Sequence, residues 1–526
     1  MAVKRYIFEE QTSFAAAKRA VALGVFDGLH IGHRTVLSAA CGVESDDGAF
    51  LTATALCMTG VPKHGAGRLL TPVQEDRVLE TLGIEEWIEL PFEAVRELSP
   101  EQFVNDILHE RLQARTVCCG YNYRFGKNGA GTVETLCELC KPLGIQVVVA
   151  SAVQREQDVI SSTRLRKALN EGEMELAMRL LGRPFSVELP VTNGDHRGRQ
   201  WGIPTVNQVF PSGYVVPKYG VYASLVVVGD HQYHAVTNIG VHPTVGGVPS
   251  PQAETWIHDF SGNLYGETVQ VQLIRFLRGE RCFASVEELK TQITADAENA
   301  EAVLSGQNGD KAILFDFDDT LQDRVAAFLA VARRLLERHM KTVSAEQREI
   351  YAQQMLVENA GGYVDYGTFF HNFIKRWPFD EGVTGEQLLW EYHRLFPVCS
   401  VLYPESVDVL TTLRERGYRI GIITNGGVLL QNRKLDVTGI RLCVDIAVVS
   451  GDEGVHKPQG ELFRRTAARL GVAPENCVYV GDYPTNDIKG AQNANMQPIF
   501  LNTRHLDEHP LGVPEITNVA DVLNMV

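Results

Sequence analysis

Apolar and polar positions follow three different rhythms along this chain. Up to about residue 183, short apolar runs alternate with helical stretches: 20–26, 117–120 and 146–150 predict strands, and a helix starts near residue 33. That alternation predicts a parallel α/β sheet. Between Phe185 and Phe276 the apolar runs, such as 221–228 and 269–276, are separated by Gly, Pro and Asn. Many short strands with such turns predict a small β-barrel, closed by a helix over 285–304. Residues 305–310, polar and glycine-bearing, predict a linker. Beyond them α/β alternation returns, interrupted over about 324–405 by an insertion. Val325, Phe328, Leu329, Val331, Leu335 and Leu336 recur there with helical period. The aromatics Tyr363, Tyr366, Phe369, Phe370 and Trp377 that follow are read as the packed core of a helical cap rather than a pocket lining. The expected organisation is three domains, 1–183, 184–304 and 311–526, joined in the last case through 305–310.

Bulk properties narrow the picture. A chain of 526 residues exceeds what one core supports. A hydrophobic content of 44% and a charged content of 22% are those of a globular protein. The net charge of -16 argues against nucleic acid or an anionic membrane as a general partner. It leaves ATP open, since phosphate sites are built locally. No apolar run approaches the roughly 18 residues of a membrane span. The ten cysteines are scattered; Cys137 and Cys140, in a helical segment without a second ligand pair, read as core. A reduced, cytoplasmic protein is expected.

Chemistry concentrates in three places. In the last third, Ile313-Leu314-Phe315 leads into Asp316-Phe317-Asp318-Asp319-Thr320. Two carboxylates one residue apart at a strand tip suit attack on phosphorus by one and proton handling by the other. Thr424 follows a second apolar strand, where its hydroxyl suits a phosphoryl oxygen, and Lys457 adds positive charge. Asp482 and Asp487 follow a third strand and, with Asp316, offer oxygen ligands for magnesium. This ordered set resembles the phosphotransferase branch of the haloacid dehalogenase superfamily. The resemblance implies a Rossmann-like fold with a helical cap, Asp316 as nucleophile and Asp318 as general acid and base. Asp318 is counted with the metal site and Asn425 with the phosphate site.

Near the N-terminus, Gly24-Val25-Phe26-Asp27-Gly28-Leu29-His30-Ile31-Gly32-His33 follows a strand and opens a helix. Glycines permit close backbone approach, and a helix start offers free N–H groups to phosphate. Together with Ile160-Ser161-Ser162-Thr163-Arg164-Leu165-Arg166, the segment resembles the FMN adenylyltransferase module of bacterial bifunctional riboflavin kinase/FAD synthetases over 23–183. The resemblance implies a Rossmann-like nucleotidyltransferase fold. It places Gly24, Phe26, Asp27, Gly28 and Gly32 at the nucleotide, His30 and His33 on ATP phosphates, and Ser162, Thr163 and Arg164 along a second phosphate-binding edge. The family's Phe-x-Pro-His-Pro segment is replaced here by residues 56–64.

The third constellation lies between these two. Gly194, Gly198 and Gly202 belong to a glycine-rich run that ends in Thr205-Val206-Asn207. In extended chain Thr205 and Asn207 point the same way, which suits joint coordination of magnesium and phosphate oxygens. With Pro217-Lys218-Tyr219-Gly220, Asn238-Ile239-Gly240, Ala253-Glu254 and Arg278-Gly279-Glu280, the run resembles a riboflavin kinase domain. The resemblance implies Thr205 and Asn207 on Mg-ATP and Glu254 as general base toward the ribityl hydroxyl.

The combined expectation is a chain that converts riboflavin through FMN to FAD with ATP and Mg²⁺. It also carries a phosphatase for a phosphorylated small metabolite, with the ribitylamino-pyrimidine precursor of riboflavin as the expected substrate. Rival readings are a kinase–phosphatase pair with a degenerate adenylyltransferase, a generic phosphatase, and a last domain that binds a metabolite and regulates without turnover.

Overall fold

The computed structural model describes the chain except residues 1–2, 10, 46, 62–66, 152–153, 156–157, 193–202, 230, 244–248, 308, 363 and 504–508. Three six-stranded sheets organise it. The first is parallel, in the spatial order Lys4–Ile7, Glu86–Pro91, Thr52–Thr59, Arg19–Gly24, Ala114–Gly120, Gln146–Ala150. Its central strands are buried on both faces. Val21, Leu23 and Val117 pack on one side, and Ala20, Ala22 and Cys118 on the other. This is why they read as continuous apolar runs. Arg19 enters this core paired with Glu86 at 2.7 Å.

The second sheet is antiparallel and curled: Thr205–Val209, Pro249–Ile257, His231–Pro243, Gly220–Val228, Thr268–Arg278, Phe185–Pro190. Its two edges approach each other. Thr192 N donates to Asn207 O at 2.8 Å, and the buried Gln208 amide donates to Leu189 O and Val269 O at 2.6 and 2.8 Å. The helix Val286–Leu304, N-capped by Ser285, lays Ala297, Ala300 and Val303 on Val221, Ala223 and Leu225.

The third sheet is parallel, ordered Ile446–Val449, Arg419–Thr424, Ala312–Phe315, Cys477–Gly481, Gln497–Leu501, Glu515–Ile516. The helices Arg324–His339, Ala345–Glu358, Tyr366–Arg376 and Gly385–Cys399 follow its first strand. Their interior is aromatic: Phe328, Phe370, Phe373 and Tyr392 are fully buried, and Tyr366 stacks on Tyr392 at 4.6 Å. Tyr363 lies outside the described residues.

The connector after Leu304 is docked. Asp310 pairs with Arg419 at 2.9 Å, and Gly306 adopts φ +70° where an added Cβ would fall 1.8 Å from Ala473 N. Only glycine fits so close an approach at positive φ. Gly306→Ala should therefore destabilise the protein by about 1–3 kcal/mol, as overpacking does. The check is the unfolding midpoint in guanidinium; an unchanged midpoint would mean that the connector lifts away freely.

Candidate active sites

The central strand of the third sheet ends at Phe315 and delivers Asp316 to the C-terminal edge, where ligand sites of parallel sheets form. Arg419–Thr424 and Cys477–Gly481 flank it and deliver Thr424 and Asp482 to the same edge. Carboxylate oxygens of Asp316, Asp482 and Asp487 lie within 4.8 Å of one another, and all three residues are buried. One cation enters the group: Lys457 Nζ is 2.5 Å from Asp316 and 2.7 Å from Asp487. Burial raises the Asp316 pKa; Lys457 opposes the rise, while Asp487 and Asp318 add to it, and the net value is about 7. Three buried carboxylates around one ammonium leave a surplus of negative charge on hard oxygen donors, a set that fits magnesium. Asn425 holds Lys457 by its backbone, donating to Lys457 O at 3.0 Å and accepting from Lys457 N at 2.9 Å.

The Asp318 side chain, expected with the metal site, lies outside that carboxylate cluster. One of its carboxylate oxygens takes the Lys434 ammonium, and the other accepts from Gln431 Nε2 at 2.7 Å. Burial alone would raise its pKa, but these two partners overcome it and hold the carboxyl below the usual range. The same Gln431 amide reaches Thr424 Oγ1 at 2.9 Å. Neither Gln431 nor Lys434 stands out in the sequence. The available signal was their i, i+3 spacing on the helix after the Thr424 strand, which puts both on one face.

That helix, Val428–Val437, also meets the first domain. Asp436 accepts a two-pronged pair from Arg34, at 2.9 and 2.6 Å, and a third bond from Arg441 at 3.0 Å. Arg34 lies on the helix Ile31–Ala39, which His30 caps. Nearby, Arg394 bonds Glu85 at 3.2 Å and Arg338 bonds Glu44 at 2.7 Å, both across the same boundary.

At the first sheet, His30 Nδ1 accepts from His33 N at 3.2 Å, which leaves the ring proton on Nε2. Burial lowers the His30 pKa to about 3, so the imidazole is neutral. The two rings stack, with centroids 3.6 Å apart. The Gly28–Leu29 turn, at φ +83° and +43°, is held by Arg183, whose guanidinium donates to both carbonyls. The helix Ser162–Glu171 comes to this loop: Ser162 Oγ donates to Asp27 O at 2.9 Å and Arg166 pairs with Asp27. Thr163 and Arg164 sit in its first turn, and Arg164 N donates to Ser161 Oγ. Gly24 admits the Phe26 ring, which would lie 2.6 Å from an added Cβ, and Gly32 lies against the His30 ring. Within the replaced segment, Cys57 is buried in the strand Thr52–Thr59, while residues 62–66 lie outside the described part.

In the curled sheet, Asn207 is the register partner of Glu254, which is also paired with Asn238. Thr205, two residues from Asn207, shares its face, so three expected residues line one surface. Gly194, Gly198 and Gly202 lie outside the described residues.

Three constellations for phosphate chemistry on separate sheets define a multifunctional enzyme. A riboflavin kinase family model matches residues 181–304, an FAD synthetase model 13–164, and a haloacid dehalogenase-like hydrolase model 311–495. The bifunctional riboflavin kinase/FMN adenylyltransferase of Bacillus subtilis is 34% identical over 295 residues, 54% of this chain and 92% of that protein. Its counterpart in Escherichia coli K12 is 33% identical, covering 52% and 89%. A solved structure described as a macrolide-efflux protein from Streptococcus pneumoniae is 28% identical, covers 57% of this chain and 99% of its own, and has a TM-score of 0.50. The chain belongs to the bifunctional riboflavin kinase/FMN adenylyltransferase family and carries a haloacid dehalogenase-like hydrolase domain besides. Among the described residues no helix is long and apolar enough to cross a membrane.

Removing Asp436 would leave Arg34 and Arg441 buried around a missing counter-charge. Asp436→Ala should cost about 3–5 kcal/mol, as breaking a buried pair does. Guanidinium unfolding followed by circular dichroism reads this directly; a loss under about 1 kcal/mol, typical of exposed pairs, would show that water enters the interface.

Proposed function

We propose that the chain phosphorylates riboflavin to FMN at the curled sheet, adenylylates FMN to FAD at the His30 loop, and hydrolyses a phosphate monoester at the Asp316 cluster. The kinase reading rests on family membership and on the register that sets Asn207 beside Glu254 with Thr205 on the same face. A ribityl hydroxyl is a poor nucleophile, and Glu254 acts as the base that removes its proton. For the adenylyl transfer, the FMN phosphate attacks the α-phosphorus of ATP directly. A neutral His30 with its proton on Nε2 is a donor that suits a phosphate oxygen.

The phosphatase reading is carried by one observation: Asp316 shares Lys457 with Asp487 while Asp318, two residues on, is held apart by its own partners. Asp316 attacks phosphorus as the ester P–O bond breaks, and Asp318, which rests ionised between Lys434 and Gln431, gives the leaving oxygen a proton from the fraction of sites in which it has taken one up from water. Asp318 then takes a proton from the water that hydrolyses the aspartyl-phosphate. Asp316, Asp482 and Asp487 would hold a magnesium ion, which when bound supplies positive charge to the phosphoryl oxygens. The proposed substrate is the phosphorylated ribitylamino-pyrimidine that must lose its phosphate before the flavin ring system is completed. Fusion to two flavin-making units supports it, and hydrolysing FMN would undo the kinase on the same chain.

Glu254→Gln should lower the rate of FMN formation from riboflavin and Mg-ATP by about 10²–10⁴, the usual worth of a general base. An unchanged rate would remove Glu254 from that role. For the phosphatase, phosphate release by the full chain is measured without ATP on the pyrimidine phosphate, FMN and sugar phosphates. The pyrimidine should show the highest kcat/KM, and Asp316→Asn should abolish release from all of them. A preference for sugar phosphates would refute the pathway assignment, and turnover by Asp316→Asn would refute the nucleophile.

A further inference from the structure

The helix Val428–Val437 belongs to no motif, yet it joins two sites. Gln431 and Lys434, one turn apart, both contact Asp318. Arg433 and Asp436, also one turn apart, lie on the opposite side, since two residues advance a helix by about 200°. Asp436 grips Arg34 of the first domain. Arg433 is fitted so closely against that domain that a Cβ on Gly42 would fall 2.8 Å from its Nη2. The helix is therefore clamped from both sides.

Asp318 needs such a clamp. An aspartate side chain in an open site samples several rotamers, and only one presents its oxygen to the leaving group beside Asp316. Gln431 and Lys434 occupy one carboxylate oxygen each, which fixes both the rotamer and the plane. Gln431 also bonds Thr424 Oγ1 and Asn425 O, so the alignment refers to the phosphate-binding strand end itself.

We propose that Gln431 and Lys434 are positioning residues for Asp318, and that the adenylyltransferase domain holds them in place through Arg34 on Asp436. The proposal rests on the phosphatase reading of Asp316 and Asp318. Its signature depends on the leaving group. In the first phosphoryl transfer the protonated fraction of Asp318 supplies the proton of the departing oxygen, and kcat/KM reports that step. Phenolate needs the proton, and the better leaving 4-nitrophenolate needs it far less.

The experiment uses the full chain with Mg²⁺ and two esters of matched shape, phenyl phosphate and 4-nitrophenyl phosphate. Losing the Lys434 ammonium lets Asp318 hold a proton more often but frees its rotamer, and the loss of alignment dominates: Lys434→Met should lower kcat/KM on phenyl phosphate by about 10-fold or more, within the roughly 10²–10⁴ that a general acid supplies, with a smaller loss on the nitrophenyl ester. Lys434→Arg should recover part of the loss. In an Asp318→Asn background, Lys434→Met should cost nothing further, as expected for two groups acting as one unit. Arg34→Met, and the milder Arg34→Lys, should shift the ratio of the two esters in the same direction by a smaller factor.

Equal losses on both esters, or additive losses with Asp318→Asn, would overturn the positioning role. A full positioning effect at Lys434 with an unmoved ratio in both Arg34 variants would overturn the part assigned to the first domain. If the unmodified chain released no phosphate from either ester, the phosphatase reading would fall and this proposal with it, a result distinct from the other two.

Discussion

Gln431 to Asp436 form an unbroken stretch of buried chain in which only Leu435 is apolar. Burying so much polarity is unfavourable unless partners replace the lost water. Here the partners come from three directions: Asp318 and Thr424 at the phosphatase site, Asp452 and Arg441 within the same domain, and Arg34 from the first domain. None of the three can be withdrawn without stranding charge. The placement of the hydrolase domain against the nucleotidyltransferase and the alignment of Asp318 thus depend on one connected set of hydrogen bonds.

The three sites solve the same problem, handling phosphate oxygens, by different electrostatic means. At the first sheet the cationic alternative is suppressed, because burial keeps His30 neutral and leaves a directional donor. On the curled sheet an acid stands next to an amide across two paired strands, a base beside a polar anchor. In the third sheet three buried acids gather around the Lys457 ammonium, which makes the site a receptor for added positive charge. A chain of net charge -16 accommodates all three because each is built from a few groups at strand ends and loop turns.

Much of this was legible in the sequence. Buried parallel strands announce themselves as apolar runs, and the expected 146–150 strand coincides with Gln146–Ala150. The order Asp316, Thr424, Lys457, Asp482 carried over to one sheet edge because a parallel sheet delivers every strand end to the same side. Of the aromatics expected in the core of the insertion, Phe369 and Phe370 are buried, and Tyr366 and Trp377 pack against that core partly buried. The bridging helix escaped notice for a physical reason. A segment reading Gln-Asn-Arg-Lys-Leu-Asp has the composition of an exposed surface, and periodicity has no way to signal that its Gln, Lys and Asp meet partners remote in sequence. The direction of the Asp318 side chain is illegible for a related reason. Its neighbour at position 316 does face the metal-competent cluster, while the orientation of 318 is set by residues more than one hundred positions away.

The docked connector gives the chain an unusual relation between its covalent and its non-covalent structure. Gly306 is seated against Ala473, and Asp310 is anchored on Arg419, while the larger attachment between the domains lies elsewhere, at Asp436, Glu85 and Glu44. The peptide link at 305–310 is consequently a redundant tether. In this molecule the covalent link fixes a one-to-one ratio between domains that also meet through ion pairs of their own.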